Sequence, residues 1–598
     1  MNKKYLTILI LAVLFCVQFL VLPTFSSTAQ GGKIAAFSLF VEALTAYMLF
    51  QYRVWRLPKV LIPLVFLFFI FSLSLFFSQW PAVGSTQLHT YAMGLIFCTL
   101  VANISDDSDS LHNWIFAWFR VLGLIVAVLC LYQYIDWLLV GQRDTMLIHY
   151  LLPPSSSRVN GIYGQPNMTA LLLLVSIIAF CRGYASNNGT GYHLKDFYLD
   201  AGLLFVALAF FLTGSRAGLL AFFVVSAVLF LLIYRSRIVF CKQSLLKIFL
   251  ILLAGFFITQ IPFSAEIPGT MYSRSSISTD ARFLFWTASI LMFIKAPFLG
   301  VGLDHFKLLL PSYSLQAHDF LGFVQYEVMG YTRWSHNEYL QVLAEAGIVG
   351  FIFLITFCVL LARIMFVEVS KGRPDNKKLF IFLMLLPFFV QGMFSWPFRH
   401  PALLFIFFLI LGIAVAETSS VKFKVTNSAK LILSCFLMAS VAMVVMCSFK
   451  EYQFVKLTNV IRDDGCKNDK IFSLIDDPYL EFKILSKVLP LCLADESFLA
   501  ESSLVERYKP YFLKIVDLQG TYSQWYNLGL VHRALGEHVK AKAALQKAVE
   551  RQPVFEQGWL VLHALNIEEA TRKTGRPIQD FLPLKNNSSV DFDNLFSK

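Results

Sequence analysis

Charge is scarce in this chain. Asp, Glu, Lys and Arg make up 15% of its residues, against roughly 25% in an ordinary soluble domain. That scarcity excludes a soluble enzyme of this length, whose surface needs polar groups to face water. No CxxC, HExxH or other metal-ligand spacing occurs, so neither a metal site nor a cofactor is expected. Long blocks of like charge are missing too. The formal net charge of +12 is spread in short Lys/Arg clusters between apolar stretches, which argues against nucleic-acid binding. Eight of the ten cysteines fall within or beside apolar runs and read as small buried hydrophobes. The other two, Cys466 and Cys492, lie in polar sequence near the C-terminus.

What the chain has in abundance is apolar length. Hydrophobic residues make up 57% of it, with 60 phenylalanines, and the mean hydropathy is +0.64. Repeated windows of about 20 apolar residues are each long enough to cross a bilayer. They fall near 5–25, 34–51, 60–78, 88–104, 114–135, 167–182, 197–214, 217–234, 247–263, 347–367, 379–397, 401–416 and 430–448. The sequence therefore predicts an all-α polytopic membrane protein of about 13 transmembrane helices. The first run follows Lys3-Lys4 and has some features of a signal peptide, but its length and the many later spans favour an uncleaved first span.

Orientation follows from the basic loops. With Asn2-Lys3-Lys4 inside, alternate loops such as Arg53–Lys59, Arg182–Lys195, Arg235–Lys247, Lys371–Lys378 and Lys422–Lys430 are cytoplasmic, and all are basic. The short acidic loop at Asp106-Asp107 is the exception. The N-terminus is then cytoplasmic. Loop 136–166, the Thr213–Arg216 turn, a large loop at 264–346 and Arg399-His400 face the other side. So does everything after Phe449, which in a bacterial inner membrane is the periplasm.

Two domains are expected, a transmembrane one over 1–448 and a periplasmic helical one over 449–598. In the second, Trp525-x-x-Leu528-Gly529-x-x-His532 is followed by Gly536, Ala541, Leu545, Ala548 and Pro553. That is the spacing of a tetratricopeptide (TPR-like) repeat over 522–553, with flanking helices near 494–517 and 555–572 to complete a stack. Cys466 and Cys492, two cysteines in one exported domain, are candidates for a disulfide.

The candidate chemistry gathers in the outward loops. Arg216, in Thr213-Gly-Ser215-Arg216-Ala-Gly218, is pinned at the membrane surface by the short turn, with Ser215 expected to cap the next helix. Arg282 opens an amphipathic stretch running through Trp286 to Lys295 that is too short and polar to span and reads as an interfacial helix. Arg333-Trp-Ser335-His336-Asn337-Glu338 has the Ser-x-x-Glu spacing of a capping box. This places His336 in a first helical turn, where the dipole keeps it neutral and able to act as a base. Arginines beside helix N-termini at headgroup depth suit a diphosphate. A fourth segment, Arg158-Val-Asn160-Gly-Ile-Tyr-Gly164-Gln165-Pro166-Asn167, offers the hydrogen-bonding side chains that a sugar requires.

Taken together, Ser215-Arg216-Ala-Gly218, Arg282-Phe-Leu-Phe-Trp286, Pro297-Phe-Leu-Gly300-Val-Gly302, His336-Asn337-Glu-Tyr-Leu340 and Glu345-Ala-Gly347-Ile-Val-Gly350 resemble the core of the O-antigen ligase superfamily over about residues 210–420. The Gly161–Asn167 turn and the helical C-terminal domain resemble its PglL-type protein O-oligosaccharyltransferase branch. The resemblance implies a GT-C-like glycosyltransferase that needs neither nucleotide sugar nor metal. Its donor would be an undecaprenyl-diphosphate-linked oligosaccharide and its acceptor an exported protein. Arg216, Arg282 and, less directly, Arg333 would hold the diphosphate, and His336 would assist the acceptor. Arg158, Gln165, Asn167 and Asn337 are the candidates for glycan or acceptor binding. Ligation to lipid A core, polymerisation of repeat units, a glycan transporter and an envelope-assembly scaffold are the rival readings. A transporter would put ionisable groups along a midplane path, whereas here they gather at one surface.

Overall fold

The computed structural model describes residues 3–21, 30–78, 80–105, 109–140, 158–185, 194–235, 238, 240, 242–260, 277–322, 332–371, 376–464, 466 and 470–574. Within them the chain is helical almost throughout. Nine helices among the described residues are long and apolar enough to cross a membrane. Three shorter apolar helices, Tyr5–Phe19, Phe197–Leu212 and Pro401–Val415, join them. The helix Asn376–Gly392 occupies the remaining expected span, so each predicted span carries a helix. The acidic Asp106-Asp107 loop lies outside the described residues.

Exposed side chains explain why these helices need lipid. Phe50, Phe76, Phe223, Phe230, Phe366 and Phe436 are each more than 60% exposed. In water such a surface would aggregate; against acyl chains it is solvated. The chain is a multi-pass membrane protein.

Contacts divide it into two compact units, the first comprising Met1–Ser275, Lys295–Asp304 and Trp334–Phe449, and the second Ser276–Ile294, His305–Arg333 and Lys450–Lys598. In the first unit we label the helices α1 (Lys3–Phe19), α2 (Gly31–Gln51), α3 (Ile62–Phe76), α4 (Pro81–Ile104), α5 (Asp109–Val140), α6 (Pro166–Ala185), α7 (Leu194–Leu212), α8 (Arg216–Tyr234) and α9 (Lys242–Gln260). The helix α10 (Ile277–Lys295) follows, then α11 (Phe306–Leu321), α12 (Glu338–Ser370), α13 (Asn376–Gly392), α14 (Pro401–Val415) and α15 (Asn427–Asp464). Helix starts obey local chemistry. Proline opens α4, α6 and α14, where its fixed φ suits the first turn and its missing N–H is no loss. The centre of this unit is α6 and α14, buried at every position from Met168 to Cys181 and from Pro401 to Ile413. A ribbon of two antiparallel strands, β1 (Val54–Pro58) and β2 (Ser420–Lys424), pairs Val54 with Lys424 and Pro58 with Ser420.

One long helix is broken. In α12, Gly347 has φ 65° and ψ −168°, a kink at the edge of the expected span. The backbone groups it frees are taken up by the segment Pro297–Gly302. Ile348 N–H donates to Pro297 C=O at 2.8 Å and Val301 N–H to Ala344 C=O at 2.9 Å. The Glu345 carbonyl accepts from the Ser74 hydroxyl at 2.6 Å and from Gly302 N–H at 3.3 Å. The two glycine-bearing motifs of the sequence are thus the two halves of one interlock.

In the second unit, α10 is a helix of 19 residues that is not among those apolar enough to cross a membrane. Helix α11, which lies within the large loop expected at 264–346, contains Pro311. Proline has no N–H, so the carbonyl of Lys307, one turn earlier, loses its helical partner. The Gln519 amide donates to that oxygen at 3.0 Å, and Arg551 donates to Pro311 C=O at 2.9 Å. Gln519 follows the first and Arg551 ends the third of four C-terminal helices, which we label α16 (Ser502–Leu518), α17 (Tyr522–Ala534), α18 (His538–Arg551) and α19 (Glu556–Thr574). The segment with repeat spacing is a helical hairpin, α17 packed on α18. Gly529 lets them approach: a β-carbon there would lie 2.7 Å from Leu545. Cys466 and Cys492 are bonded, with Cα atoms 5.4 Å apart.

Candidate functional site

Ser215 caps α8 as its sequence suggests, its hydroxyl oxygen accepting from Gly218 N–H at 3.0 Å. The same hydroxyl donates to Asn167 Oδ1 at 2.7 Å, tying the start of α8 to the start of α6. Arg158 donates to the carbonyls of Thr213 and Gly214 at 2.9 and 3.3 Å. Its guanidinium therefore holds the turn that presents Arg216. Arg216 itself is exposed and has no hydrogen bond or ion pair among the described residues. Gln165 is half-buried at the start of α6, after a turn in which Gly161 and Gly164 take φ of 53° and 69°.

The second group centres on His336, and here the sequence expectation needs correction. Ser335 and Glu338 do not form a capping box. Helix α12 starts at Glu338 and its cap is Asn337, whose Oδ1 accepts from Tyr339 and Leu340 N–H, both at 3.0 Å. His336 lies one residue before the cap, half-buried, with φ 57°. It is not in the first helical turn. Ser335 instead braces the turn, donating its hydroxyl to Asn337 C=O at 2.7 Å. Both Ser and Asn are good caps, and Glu338 is drawn elsewhere: it accepts from Phe398 N–H at 3.0 Å and pairs with Arg399 at 3.3 Å.

Those contacts reach the turn before α14. Arg399 is 2% exposed and pairs with Glu345 at 2.7 Å as well as with Glu338. His400 stacks edge-on against Tyr163, with ring centres 5.3 Å apart, and Trp396 lies between His400 and Trp334 at 5.8 and 5.7 Å. Tyr163 donates to Gln18 Oε1 at 3.0 Å, and the buried Lys33 donates to Gln18 C=O at 2.6 Å. The signal that would have found these residues is charge inside apolar sequence: Lys33, Glu338, Glu345 and Arg399 sit in or beside spans, where a polar group persists only with a partner or a task.

The contacts Ser215–Asn167, Tyr163–His400 and Arg399–Glu338 bring the N-terminal ends of α8, α6, α14 and α12 together at one end of the first unit. Each N-terminus carries a partial positive charge. Beside them, both amide atoms of Gln391, Ser395 Oγ, Trp396 Nε1, Arg399 Nη1 and His400 Nδ1 are buried polar atoms without a hydrogen-bond partner among the described residues. The arrangement suits a polar, anionic ligand. Of the eight expected binding and catalytic residues, Arg158, Gln165, Asn167, Arg216, His336 and Asn337 belong to this unit, and Arg282 and Arg333 to the second. There, burial and then the charge of Arg333 lower the pKa of the Lys487 ammonium. No group of His, Cys, Asp and Glu among the described residues has the geometry to hold a metal ion.

Comparison with known proteins agrees with the motifs. A family model described as O-antigen ligase matches residues 201–355, the stretch that holds Arg216, Arg282, His336 and the Gly300–Gly347 interlock. A ComP-specific O-oligosaccharyltransferase from Acinetobacter baylyi (strain ATCC 33305 / BD413 / ADP1) is 22% identical over 400 residues, covering 63% of this chain. The chain spans 64% of the length of that relative. By its motifs, their helical setting and these matches, the chain is similar to the O-antigen ligase superfamily and to its O-oligosaccharyltransferases.

Proposed function

We propose that this protein transfers a preassembled glycan en bloc from undecaprenyl diphosphate to Ser or Thr hydroxyls of exported proteins, on the periplasmic face of a bacterial inner membrane. The observation that carries the reading is the meeting of four helix N-termini around Arg216 and the His336 turn. A diphosphate is the ligand such an end attracts. The name of the Acinetobacter relative favours a protein acceptor over lipid A core.

The acceptor oxygen attacks the anomeric carbon, the new C–O bond forming as the bond to the diphosphate oxygen breaks. His336 takes or orients the hydroxyl proton, a contribution of roughly 10²–10⁴ in rate. Arg216 neutralises the charge that builds on the departing undecaprenyl diphosphate, a task that the family resemblance also gives to Arg282 and Arg333. One displacement inverts the anomeric centre. Neither metal nor cofactor enters this scheme. Arg158 and Asn167 serve by fixing the Arg216 turn, Asn337 by capping α12, and Gln165 by facing the glycan or the acceptor.

The test supplies purified protein with lipid-linked glycan, an exported acceptor protein and lipid A core. Glycan on protein with the wild type, and its loss in His336→Ala, is the expected result. Glycan on lipid A core alone refutes the acceptor assignment, and equal transfer by His336→Ala refutes the role of His336.

A further inference from the structure

The turn that carries His336 is in a conformation that a non-glycine residue rarely keeps by itself, with φ 57°. Such a conformation is strained and persists only where its surroundings over-determine it. Its two neighbours must therefore be fixed. On one side Asn337 is locked as the cap of α12. On the other, Ser335 N–H donates to Gln341 Oε1 at 3.0 Å.

Gln341 is the first of a continuous buried series. Its amide nitrogen donates to Glu345 Oε1 at 3.0 Å, and Glu345 Oε2 accepts from Arg399 Nη2 at 2.7 Å. Arg399 Nε returns to Glu338 at 3.3 Å. Its guanidinium also lies 5.3 Å from the ring of Trp334, the residue before Ser335. Ser335, Gln341 and Glu345 are 0% exposed and Glu338 4%. Burying two carboxylates and a guanidinium is costly, and a well-packed apolar cluster would serve stability as well or better. What an apolar cluster lacks is direction. This series points its last acceptor at one backbone N–H, next to the proposed base.

We propose that Gln341, Glu345 and Arg399 are positioning residues: a buried relay that sets the His336 turn, and with it the aim of the imidazole. The proposal rests on the reading of His336 as the group that assists the acceptor. Gln341 and Glu345 are fully buried, so this part of the relay acts on the rate of the bound complex and not on donor binding.

Gln341 is the place to test it, because it is neutral and its loss leaves both ion pairs of Arg399 intact. In the full-length protein in nanodiscs, transfer from lipid-linked glycan to acceptor protein gives kcat and KM. Gln341→Met keeps the volume and removes the link. The expected result is a kcat lower by about 10- to 100-fold, as a displacement near 1 Å produces, with KM for the donor unchanged and a loss of kcat larger than the lowered thermal midpoint explains, since Ser335 N–H and Glu345 Oε1 both lose a partner. The exchange Gln341→Glu/Glu345→Gln conserves charge and size. Its new carboxylate accepts both from Ser335 N–H and from the amide at 345, whose oxygen still faces Arg399. It should recover most of the kcat that Glu345→Gln alone loses. If the wild type transfers glycan while Gln341→Met retains its kcat, the relay is overturned and the proposed function stands. If kcat falls only in step with thermal stability and donor KM, or if the exchange recovers nothing, Gln341 is a packing residue and the relay is again overturned. A wild type that transfers to no acceptor overturns both readings together.

Discussion

A β-carbon on Gly347 would fall 2.2 Å from the carbonyl oxygen of Phe298, closer than any real side chain approaches backbone. The residue also holds φ 65°. The opposite contact is as tight: on Gly300, at φ 72°, a β-carbon would meet Glu345 C at 2.3 Å. Gly347→Ala therefore forces the interlock apart, and with it the helix that carries Glu345. The expected loss is about 2–4 kcal/mol, read as a lower thermal midpoint in detergent. Gly164→Ala is the control. Its φ of 69° is similar but nothing lies within 4 Å of the added carbon, so only the conformational cost of about 1–2 kcal/mol remains.

Arg158 and Arg216 are neighbours with opposite tasks, and stability separates them. Arg158→Ala removes both bonds to the Thr213 and Gly214 carbonyls, so the thermal midpoint and transfer should fall together. Arg216 is exposed and bonds to no described residue. Arg216→Ala should leave the midpoint unchanged while transfer falls by about 10²–10³, the scale for removing one group that stabilises developing charge. A drop in midpoint for Arg216→Ala would make it a structural residue.

Gln519 compensates for Pro311. Gln519→Leu removes the amide that donates to the Lys307 carbonyl in place of the N–H that Pro311 lacks. The cost of an unsatisfied buried acceptor is about 1–3 kcal/mol. Limited proteolysis of α11 should show it as faster cleavage, and adding Pro311→Ala, which restores an N–H to the helix, should slow the cleavage again.

Acid should loosen the C-terminal helices through Glu537. Hydrogen bonds from Lys509 and then His532 hold its carboxyl at about 2, below the ordinary 4.5. A lowered carboxyl contributes stability that is present above about 4.5 and is lost as pH falls from there toward 2. Its partner Lys509 is raised above 10.5, chiefly by the Glu537 bond, so that half of the contribution is lost as pH rises past 10.5. Glu537→Gln should flatten both limbs of a plot of thermal midpoint against pH. Equal curvature in wild type and variant would assign the dependence to other groups.

The sequence disclosed what is written locally and withheld what is written through space. Apolar windows locate the spans because a bilayer demands an unbroken run, and Ser215 caps α8 because its turn is too short for any rival. At Ser335-His336-Asn337 two good caps compete, and the outcome depends on Arg399, far along the chain, which draws Glu338 away from the cap. Arg399 reads as an ordinary outer-loop cation until Glu338 and Glu345 are seen to flank it. The kink at Gly347 is equally silent, since its partner is the carbonyl of Phe298 in another segment. Arg216, Arg282, His336 and Arg333 stood out because they are polar residues at the mouths of apolar spans. Their division between two units is a property of the folded chain alone.

The ribbon of β1 and β2 sets an order of events. Val54 and Pro58 leave the ribosome after the second span, and their partners Lys424 and Ser420 only after α14. Early helices must therefore enter the membrane with one strand of the ribbon unpaired. Contacts between such distant segments form slowly because the intervening chain must first be arranged. The ribbon is consequently a clasp that closes late in biogenesis, and a truncation before Ser420 would leave an inserted bundle with its clasp open.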